Sequence, residues 1–257
     1  MLCAMIPKHC ATGPRTGERG NFLTPKKWAA LLVLSLSFCA AFASGSAATS
    51  QNHAPMSLEA VLRQLDSAAR DFRSLSADVE RTKVTVVVND RSTETGTILV
   101  RGDKMLLQMK APDARTILRT GDNIYIYNPG LNRVEEYNLG KNRALFDQYL
   151  LLGFGTPGRE LERHYLATLL GEPVLDDKKT ALIELTPKSE QVRNNISKIQ
   201  IWFDESSWLP VQQEFFETGS GDYFIIRYSK ISRNPDLADA RFKPHWPKGT
   251  EKIKPQG

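Results

Sequence analysis

Residues 199–216, IQIWFDESSWLPVQQEFF, predict two β-strands joined by a polar turn at 205–207. In the first strand Ile199, Ile201 and Phe203 alternate with other residues, so all three point to one face of the sheet. The alternation resumes after the turn. A sheet with one apolar face needs another element to cover that face. The number of strands and helices in the rest of the chain decides how that cover is supplied.

The same two-residue period runs through most of the chain between residues 77 and 231. Short turns rich in Gly, Asp, Asn and Pro separate many of the periodic stretches, and they are too short for crossover helices, so neighbouring strands must run antiparallel. About eleven antiparallel strands in sequence favour a curled sheet with a concave apolar face. The predicted strands lie at 77–89, 92–101, 104–111, 114–120, 123–128, 132–138, 172–177, 179–187, 196–203, 208–217 and 222–231.

Two helical segments accompany the predicted strands. Ser57 can cap an N-terminal helix whose apolar residues, from Leu58 to Phe72, recur at helical spacing. Residues 141–170 break the two-residue rhythm, with apolar residues at helical spacing on both sides of a Gly-Pro hinge, and predict a helical insertion. Two short helical pieces are too little for a conventional two-layer core. The sheet therefore either closes tightly or encloses a cavity.

The first 43 residues predict a secretory signal peptide. Lys26 and Lys27 precede the apolar run WAALLVLSLSFCAAFA, which ends in a small-residue cleavage pattern. The run is too short, and too soon followed by polar residues, for a spanning helix. Processing as a lipoprotein at Cys39 is the alternative, which the bulky Phe38 before it disfavours.

Cleavage after residue 43 changes the chemistry of the chain. It removes five Lys and Arg and one Glu, which lowers the net charge from +5 to +1 and takes away support for a nucleic-acid partner. All three cysteines leave as well, so a disulfide, a thiol nucleophile and a thiolate metal site are excluded. Residues 44–56 predict a flexible N-terminal segment, followed by one folded domain over 57–257.

Two motifs with possible chemistry have plainer interpretations. Residues 153–158, GFGTPG, match G-x-G-x-x-G, but a dinucleotide site needs a βαβ unit, and Pro157 removes a backbone N–H that would bind phosphate. We interpret this segment as a hinge within the helical insertion. Glu160 and His164 share a helix face but are too few to hold a metal. No catalytic constellation is present, so we predict neither an enzyme nor a cofactor or metal.

Four stretches resemble the outer-membrane lipoprotein carrier family, which has the LolA/LolB fold. The resemblance lies in the order and spacing of these stretches, together with the signal peptide, and it covers nearly all of the chain after residue 43. The stretches are ILRTGDNIYIYNPGLNRVEEYNL at 117–139, LIELTPK at 182–188, the hairpin at 199–216 and NPDLADARFKPHWPKG at 234–249.

The resemblance implies a mainly β (α+β) fold: an unclosed antiparallel half-barrel of about eleven strands. An N-terminal helix and a helical lid insertion, at about 141–170, would enclose an apolar cavity. The implied function is a periplasmic carrier that binds the acyl chains of lipoproteins, or free lipid, and moves them from the inner to the outer membrane. The implied partners are an inner-membrane lipoprotein-releasing complex and an outer-membrane acceptor, and we expect a monomer.

Two other functions remain open. The alternative on the same fold is a periplasmic lipid-sensing regulatory or protein-binding module. A hydrolase is the third possibility, and the missing catalytic constellation argues against it.

The resemblance also assigns roles to individual residues. Family members often carry Arg-Pro after the second strand, and the arginine helps to hold the lid. Here Arg101 is followed by Gly102, so either Arg101 serves as the gating residue or the latch is absent. A register error of one residue would move a strand's whole set to the other face. The expected lipid-binding residues are Ile98, Val100, Leu106, Ile124, Ile126, Ile199, Ile201 and Phe203, and the expected lid residues are Leu145, Phe146, Tyr149, Leu150 and Phe154.

Overall fold

β-Strands make up most of the folded part of the chain. The computed structural model describes residues 56–140 and 151–255. The helices within these ranges are α1 (Leu58–Arg70), α2 (Gly158–His164) and α3 (Glu190–Arg193). None of the helices described is long and apolar enough to cross a membrane.

The strands join in one curved sheet. Its order is β13-β6-β5-β4-β3-β2-β1-β12-β11-β10-β9-β7, with β8 paired to β9, and among the described strands only β13 runs parallel to its neighbour. Because β13 and β7 lie at opposite ends and do not pair with each other, the described sheet stays unclosed, which confirms the predicted fold class. The strands are β1 (Ser74–Thr85), β2 (Asp90–Arg101), β3 (Lys104–Met109), β4 (Arg115–Thr120), β5 (Asn123–Asn128), β6 (Arg133–Asn138), β7 (Tyr165–Gly171), β8 (Val174–Leu175), β9 (Lys178–Pro187), β10 (Ile196–Asp204), β11 (Pro210–Glu217), β12 (Tyr223–Arg233) and β13 (Glu251–Ile253).

The largest difference from the predicted elements lies at β7. The prediction that the helical insertion continues to residue 170 is wrong, because α2 ends at His164 and an extended strand follows. The residues YLATLLG fit both a helical and a two-residue period, so the local pattern does not decide between them. Hydrogen bonding to β9 decides the extended form. Residues 141–150 of the predicted lid lie outside the described residues.

Two smaller differences concern short strands. The strand predicted at 172–177 is reduced to β8, because Asp176 and Asp177 adopt left-handed φ values of 48° and 62° and form the turn into β9. β13 has only three residues, too few to show a period, so the sequence pattern did not predict it. The described sheet therefore has more strands than the eleven predicted.

The N-terminal helix forms as predicted. The Ser57 hydroxyl accepts a hydrogen bond from the backbone N–H of Ala60, with 3.2 Å between the two atoms, and caps α1. Val61, Leu62 and Leu65 form its buried stripe. Helix α2 packs directly on α1.

This helix contact depends on a residue without a side chain. A Cβ atom at Gly158 would lie 2.4 Å from the backbone oxygen of Leu62, so the two helices would have to separate. We expect Gly158→Ala to lower the free energy of unfolding by about 2 kcal/mol, as overpacking does. In the control Gly130→Ala the new Cβ meets only the end of the Asn128 side chain, and the change should stay within about 0.5 kcal/mol. Urea unfolding of both variants measures the effect, and equal stabilities would contradict a tight contact.

The register gives the sheet two faces. We call the face that carries a cross-strand row of apolar residues the inner face, and the opposite one the outer face. The row comprises Ala77, Ile98, Leu107, Ile117 and Ile126.

The chain after β12 covers part of the outer face. Phe242, in a short 3-10 turn, is buried against Leu99 and Leu118. The indole of Trp246 stacks on the Tyr127 ring with 5.2 Å between their centroids. This arrangement closes the outer face over β2–β5 with residues that are far away in the sequence.

Candidate functional site

The inner face collects seven of the eight residues predicted to bind lipid. In the pairings from β2 to β5, Ile98 and Ile126 belong to the cross-strand row, and Val100 and Ile124 lie two residues along their strands. On β10, Ile199 and Ile201 pair through β11 and β12 onto the same face of β1, and Phe203 alternates with them along the strand. All seven are buried except the partly exposed Ile126. The seven are Ile98, Val100, Ile124, Ile126, Ile199, Ile201 and Phe203.

The expectation that Leu106 shares this face is wrong. Leu106 pairs with Leu99 and Leu118, and all three lie on the outer face beneath Phe242. The sequence of β3, KMLLQM, has apolar residues on both faces, so its alternation is ambiguous. Met105, Leu107 and Met109 are its inner-face residues.

A short loop inserts its apolar side chains against the inner face. We call residues 151–154 the plug. The side chain of Leu152 is buried, and the ring of Phe154, 6% exposed, meets that of Tyr228 edge-on with 5.1 Å between centroids. Phe154 thereby joins the cluster formed by Val79, Ile98 and neighbouring residues. Of the predicted lid residues, Phe154 is the one that the structure describes; Leu145, Phe146, Tyr149 and Leu150 lie outside the described residues.

A buried polar pair holds the plug. The Gln213 amide nitrogen donates to the backbone oxygen of Leu152 at 2.7 Å, and the Tyr228 hydroxyl donates to the Gln213 amide oxygen at 2.8 Å. Burial raises the pKa of the Tyr228 hydroxyl far above its ordinary value of 10.0, so it stays a donor. The local sequence pattern did not predict this pair. The sequence feature that could have identified the pair is Gln213, a polar residue at an inner-face position of β11.

Two glycines let the plug turn. Gly153 and Gly155 have φ values of +84° and +66°, which residues with side chains rarely adopt. At Gly155 a Cβ would also lie 2.3 Å from Cδ1 of Phe72. The interpretation of 153–158 as a hinge fits this geometry, although hinge motion itself stays a prediction.

Arg101 contacts the C-terminal part of the chain. It lies on the outer face, where its guanidinium donates to the backbone oxygen of Leu237 and to the Asp239 carboxylate, and its Cζ lies 5.6 Å from the centroid of the Phe242 ring. Lys104 also pairs with Asp239, at 2.8 Å. These contacts secure the segment that covers the outer face. The role of Arg101 in gating the lid stays a prediction.

One end of the inner face carries a cluster of charges. Glu94 accepts two hydrogen bonds from the Arg115 guanidinium, at 2.5 and 2.7 Å, and a third from Arg81 at 2.8 Å. Burial by itself would raise the pKa of Glu94, but the bonds and charges of Arg115 and Arg81 outweigh it and lower that pKa below its ordinary value. The guanidinium of Arg81 also lies over the Phe224 ring, 4.9 Å from its centroid. This ionic cluster borders the apolar surface and is largely satisfied within itself.

The remaining candidate sites do not suit metal or acyl chains. Within residues 56–140 and 151–255, no three His, Cys, Asp or Glu residues are grouped to hold a metal, and Glu160 pairs with His164 at 3.5 Å on α2. A separate open pocket of about 310 Å³ has mostly polar residues, which fits an acyl chain poorly. Its lining residues are Gln64, Ser67, Ala68, Asp71, Ser206, Ser207, Trp208 and Arg233.

An unclosed, largely antiparallel sheet whose apolar inner face receives an inserted loop places this protein in the class of mainly β half-barrels. A solved structure supports the fold. An uncharacterized conserved protein from Thermus thermophilus superimposes with a TM-score of 0.51 at 10% identity, over 78% of this chain and 100% of that one.

Sequence comparisons confirm the resemblance to lipoprotein carriers. The outer-membrane lipoprotein carrier protein of Dechloromonas aromatica (strain RCB) is 25% identical over 191 residues, which are 74% of this chain and 86% of the relative. The protein of the same name from Cupriavidus pinatubonensis (strain JMP 134 / LMG 1197) is 26% identical over 224 residues, covering 85% of this chain and 97% of the relative. A family model described as "Uncharacterized protein" matches residues 101–236, which is more than half of the chain. The chain belongs to that family.

Proposed function

We propose that the protein is a periplasmic carrier that binds the acyl chains of lipoproteins, or free lipids, on its inner face and moves them from the inner to the outer membrane. The observation that supports this most directly is the apolar inner face of an unclosed sheet, with the plug seated against it. The named lipoprotein carriers among its relatives support the same function. The proposal includes a signal peptide at 1–43 and no catalysis.

The free energy of burying an acyl chain explains why such a carrier needs a replaceable cover. Burying one CH₂ group is worth about 0.8 kcal/mol, so a chain of about 15 carbons gains on the order of 12 kcal/mol gross. A carrier that bound the chain this tightly could not release it. A plug that occupies the same surface lowers the net affinity, because the ligand must first displace it. We propose that Phe154 competes in this way, and that Gln213 sets how readily the plug leaves.

The proposal extends to partners. An inner-membrane lipoprotein-releasing complex would load the carrier and an outer-membrane acceptor would unload it, with the carrier acting as a monomer. A soluble intermediate is needed because acyl chains cross water very slowly unaided.

Native mass spectrometry tests the proposed function. The full chain is exported to the periplasm, and the protein is purified without detergent. We expect a population heavier by one or more acyl-lipid masses. Ile117→Glu places a charge in the apolar inner-face row and should reduce the lipid-bound fraction about tenfold or more. The control is Thr116→Glu, which introduces the same carboxylate at the neighbouring residue. Thr116 lies on the outer face of the same strand, so this variant should bind lipid as the parent does.

Two outcomes would contradict the proposal. One is a single bare mass for the parent protein, unchanged after incubation with membranes that contain lipoproteins. The other is an equal loss of lipid in both variants, which would place the ligand elsewhere. A bare mass would favour the protein-binding alternative on this fold.

A further inference from the structure

The tip of the β1–β2 hairpin presents apolar side chains to solvent. Its 3-10 turn consists of Val86, Val87 and Val88, which are 50%, 85% and 68% exposed. Single exposed apolar residues are common on protein surfaces, whereas three in succession at a protruding turn need an explanation. Folding gains little from their positions, because none of the three is buried.

Hydrogen bonds hold this turn in place. Asn89 adopts a left-handed φ of 48° and donates its backbone N–H to the oxygen of Val86 at 3.2 Å. The backbone N–H of Val86 donates to the Asp222 carboxylate at 3.0 Å, which ties the turn to the neighbouring β11–β12 loop. Directly below, Val84 is buried. The valines therefore project from a fixed base.

A second apolar tip lies at the same end of the sheet. Leu131, 60% exposed, is in the β5–β6 turn. Because β1, β3 and β5 run in the same direction across the antiparallel sheet, the β1–β2 and β5–β6 turns are at the same end. We call this end, with Val86–Val88 and Leu131, the apolar end.

The size of the apolar end favours a lipid bilayer over a protein partner. A stable protein interface buries about 800 Å² on each side, far more than a few side chains at two turns provide. Small apolar projections can instead enter the boundary between headgroups and acyl chains. The nearby charges are of both signs: Lys83 and Arg91 are positive, and Asp90 and Asp222 are negative. Attraction to anionic lipid is therefore not what the site provides.

We propose that the apolar end docks the protein on lipid bilayers by inserting Val86–Val88. Insertion is shallow, since polar residues Thr85 and Asn89 flank the valines on both sides. Binding depends on apolar contact and little on lipid charge or salt. This docking does not rest on the proposed cargo, because it uses side chains outside the inner face.

Vesicle flotation tests the docking. The protein recovered from the periplasm is mixed with phosphatidylcholine vesicles, with or without about 30% phosphatidylglycerol, at about 0.1 and about 0.5 M salt. We expect similar bound fractions under all four conditions. Val86→Ser/Val87→Ser/Val88→Ser should weaken binding about tenfold, and Val87→Trp should strengthen it about threefold, since Trp favours the membrane interface.

A matched control removes exposed apolar area elsewhere. Leu166→Ser/Leu170→Ser changes two exposed residues of β7 and should bind vesicles as the parent does. Thermal unfolding verifies that every variant folds. Equal binding by the parent and the triple serine variant would overturn the proposal, as would an equal loss in the β7 control or binding that disappears at high salt. Lipid content measured by native mass spectrometry on the same samples tests the cargo separately.

Discussion

Replacing Phe154 with alanine should lower the free energy of unfolding of the ligand-free protein by about 3 kcal/mol and, at the same time, strengthen the binding of an acyl-chain probe. The loss of stability follows from removing a buried ring that contacts the Tyr228 ring and the inner-face cluster, because truncating a core phenylalanine leaves a cavity. Urea unfolding of the delipidated protein measures this part of the prediction.

The gain in affinity follows from competition. If Phe154 occupies surface that an acyl chain uses, the ligand must displace it, and part of the binding free energy is spent on that step. Without the ring, the apolar cavity is open to the ligand, as apolar cavities in protein cores can be. We expect the dissociation constant of a fluorescent fatty acid to fall about fivefold or more.

Phe242→Ala is the matched control. Phe242 is also a buried phenylalanine, but it packs on the outer face against Leu99 and Leu118. Its truncation should cost similar stability and leave the affinity for the fatty acid unchanged. If Phe154→Ala instead weakened binding, or behaved like Phe242→Ala, Phe154 would be a structural core residue and the plug would not compete with ligand.

The second large effect is expected at Glu94. Glu94→Gln removes the counter-charge of Arg81 and Arg115, whose side chains are 15% and 12% exposed, and leaves two neighbouring positive charges on the inner face. Breaking a largely buried ion pair by removing one partner is costly, and we expect a loss of about 2 kcal/mol at pH 7. Glu59→Gln is the control: Glu59 pairs with Arg63 on the exposed surface of α1, and its loss should cost less than about 0.5 kcal/mol.

The pH dependence distinguishes this ion pair from simple packing. The arginines lower the pKa of Glu94 below its ordinary value of 4.5 in the folded protein. The stabilisation is therefore complete above pH 4.5 and is lost as the pH falls through the lower folded-state pKa. The stability difference between the parent and Glu94→Gln should shrink over the pH range below 4.5. A difference that stays constant over this range would show that charge does not contribute.

Local sequence patterns predicted much of the architecture. Alternation of apolar residues with a period of two, interrupted by short turns, is set by neighbouring residues in the chain, and it predicted the antiparallel strands of the curved sheet. The capping residue Ser57 and the apolar stripe behind it predicted α1 in the same way. Where alternation is clean, as at Ile199, Ile201 and Phe203, it also predicted the side chains of the inner face.

Other features depend on contacts between distant residues. Leu106 lies in a run that is apolar on both faces, so only pairing with β2 and β4 decides its side. β7 is a strand because β9 offers it hydrogen bonds. Gln213 holds the plug through Leu152, 61 residues away in the chain, which no local period encodes. Which residues can alternate across a sheet is a local property, so neighbouring residues in the chain set it. Which face an ambiguous strand turns inward, and what covers that face, depends on packing and hydrogen bonds between segments far apart in the chain, so it is fixed only when the chain folds.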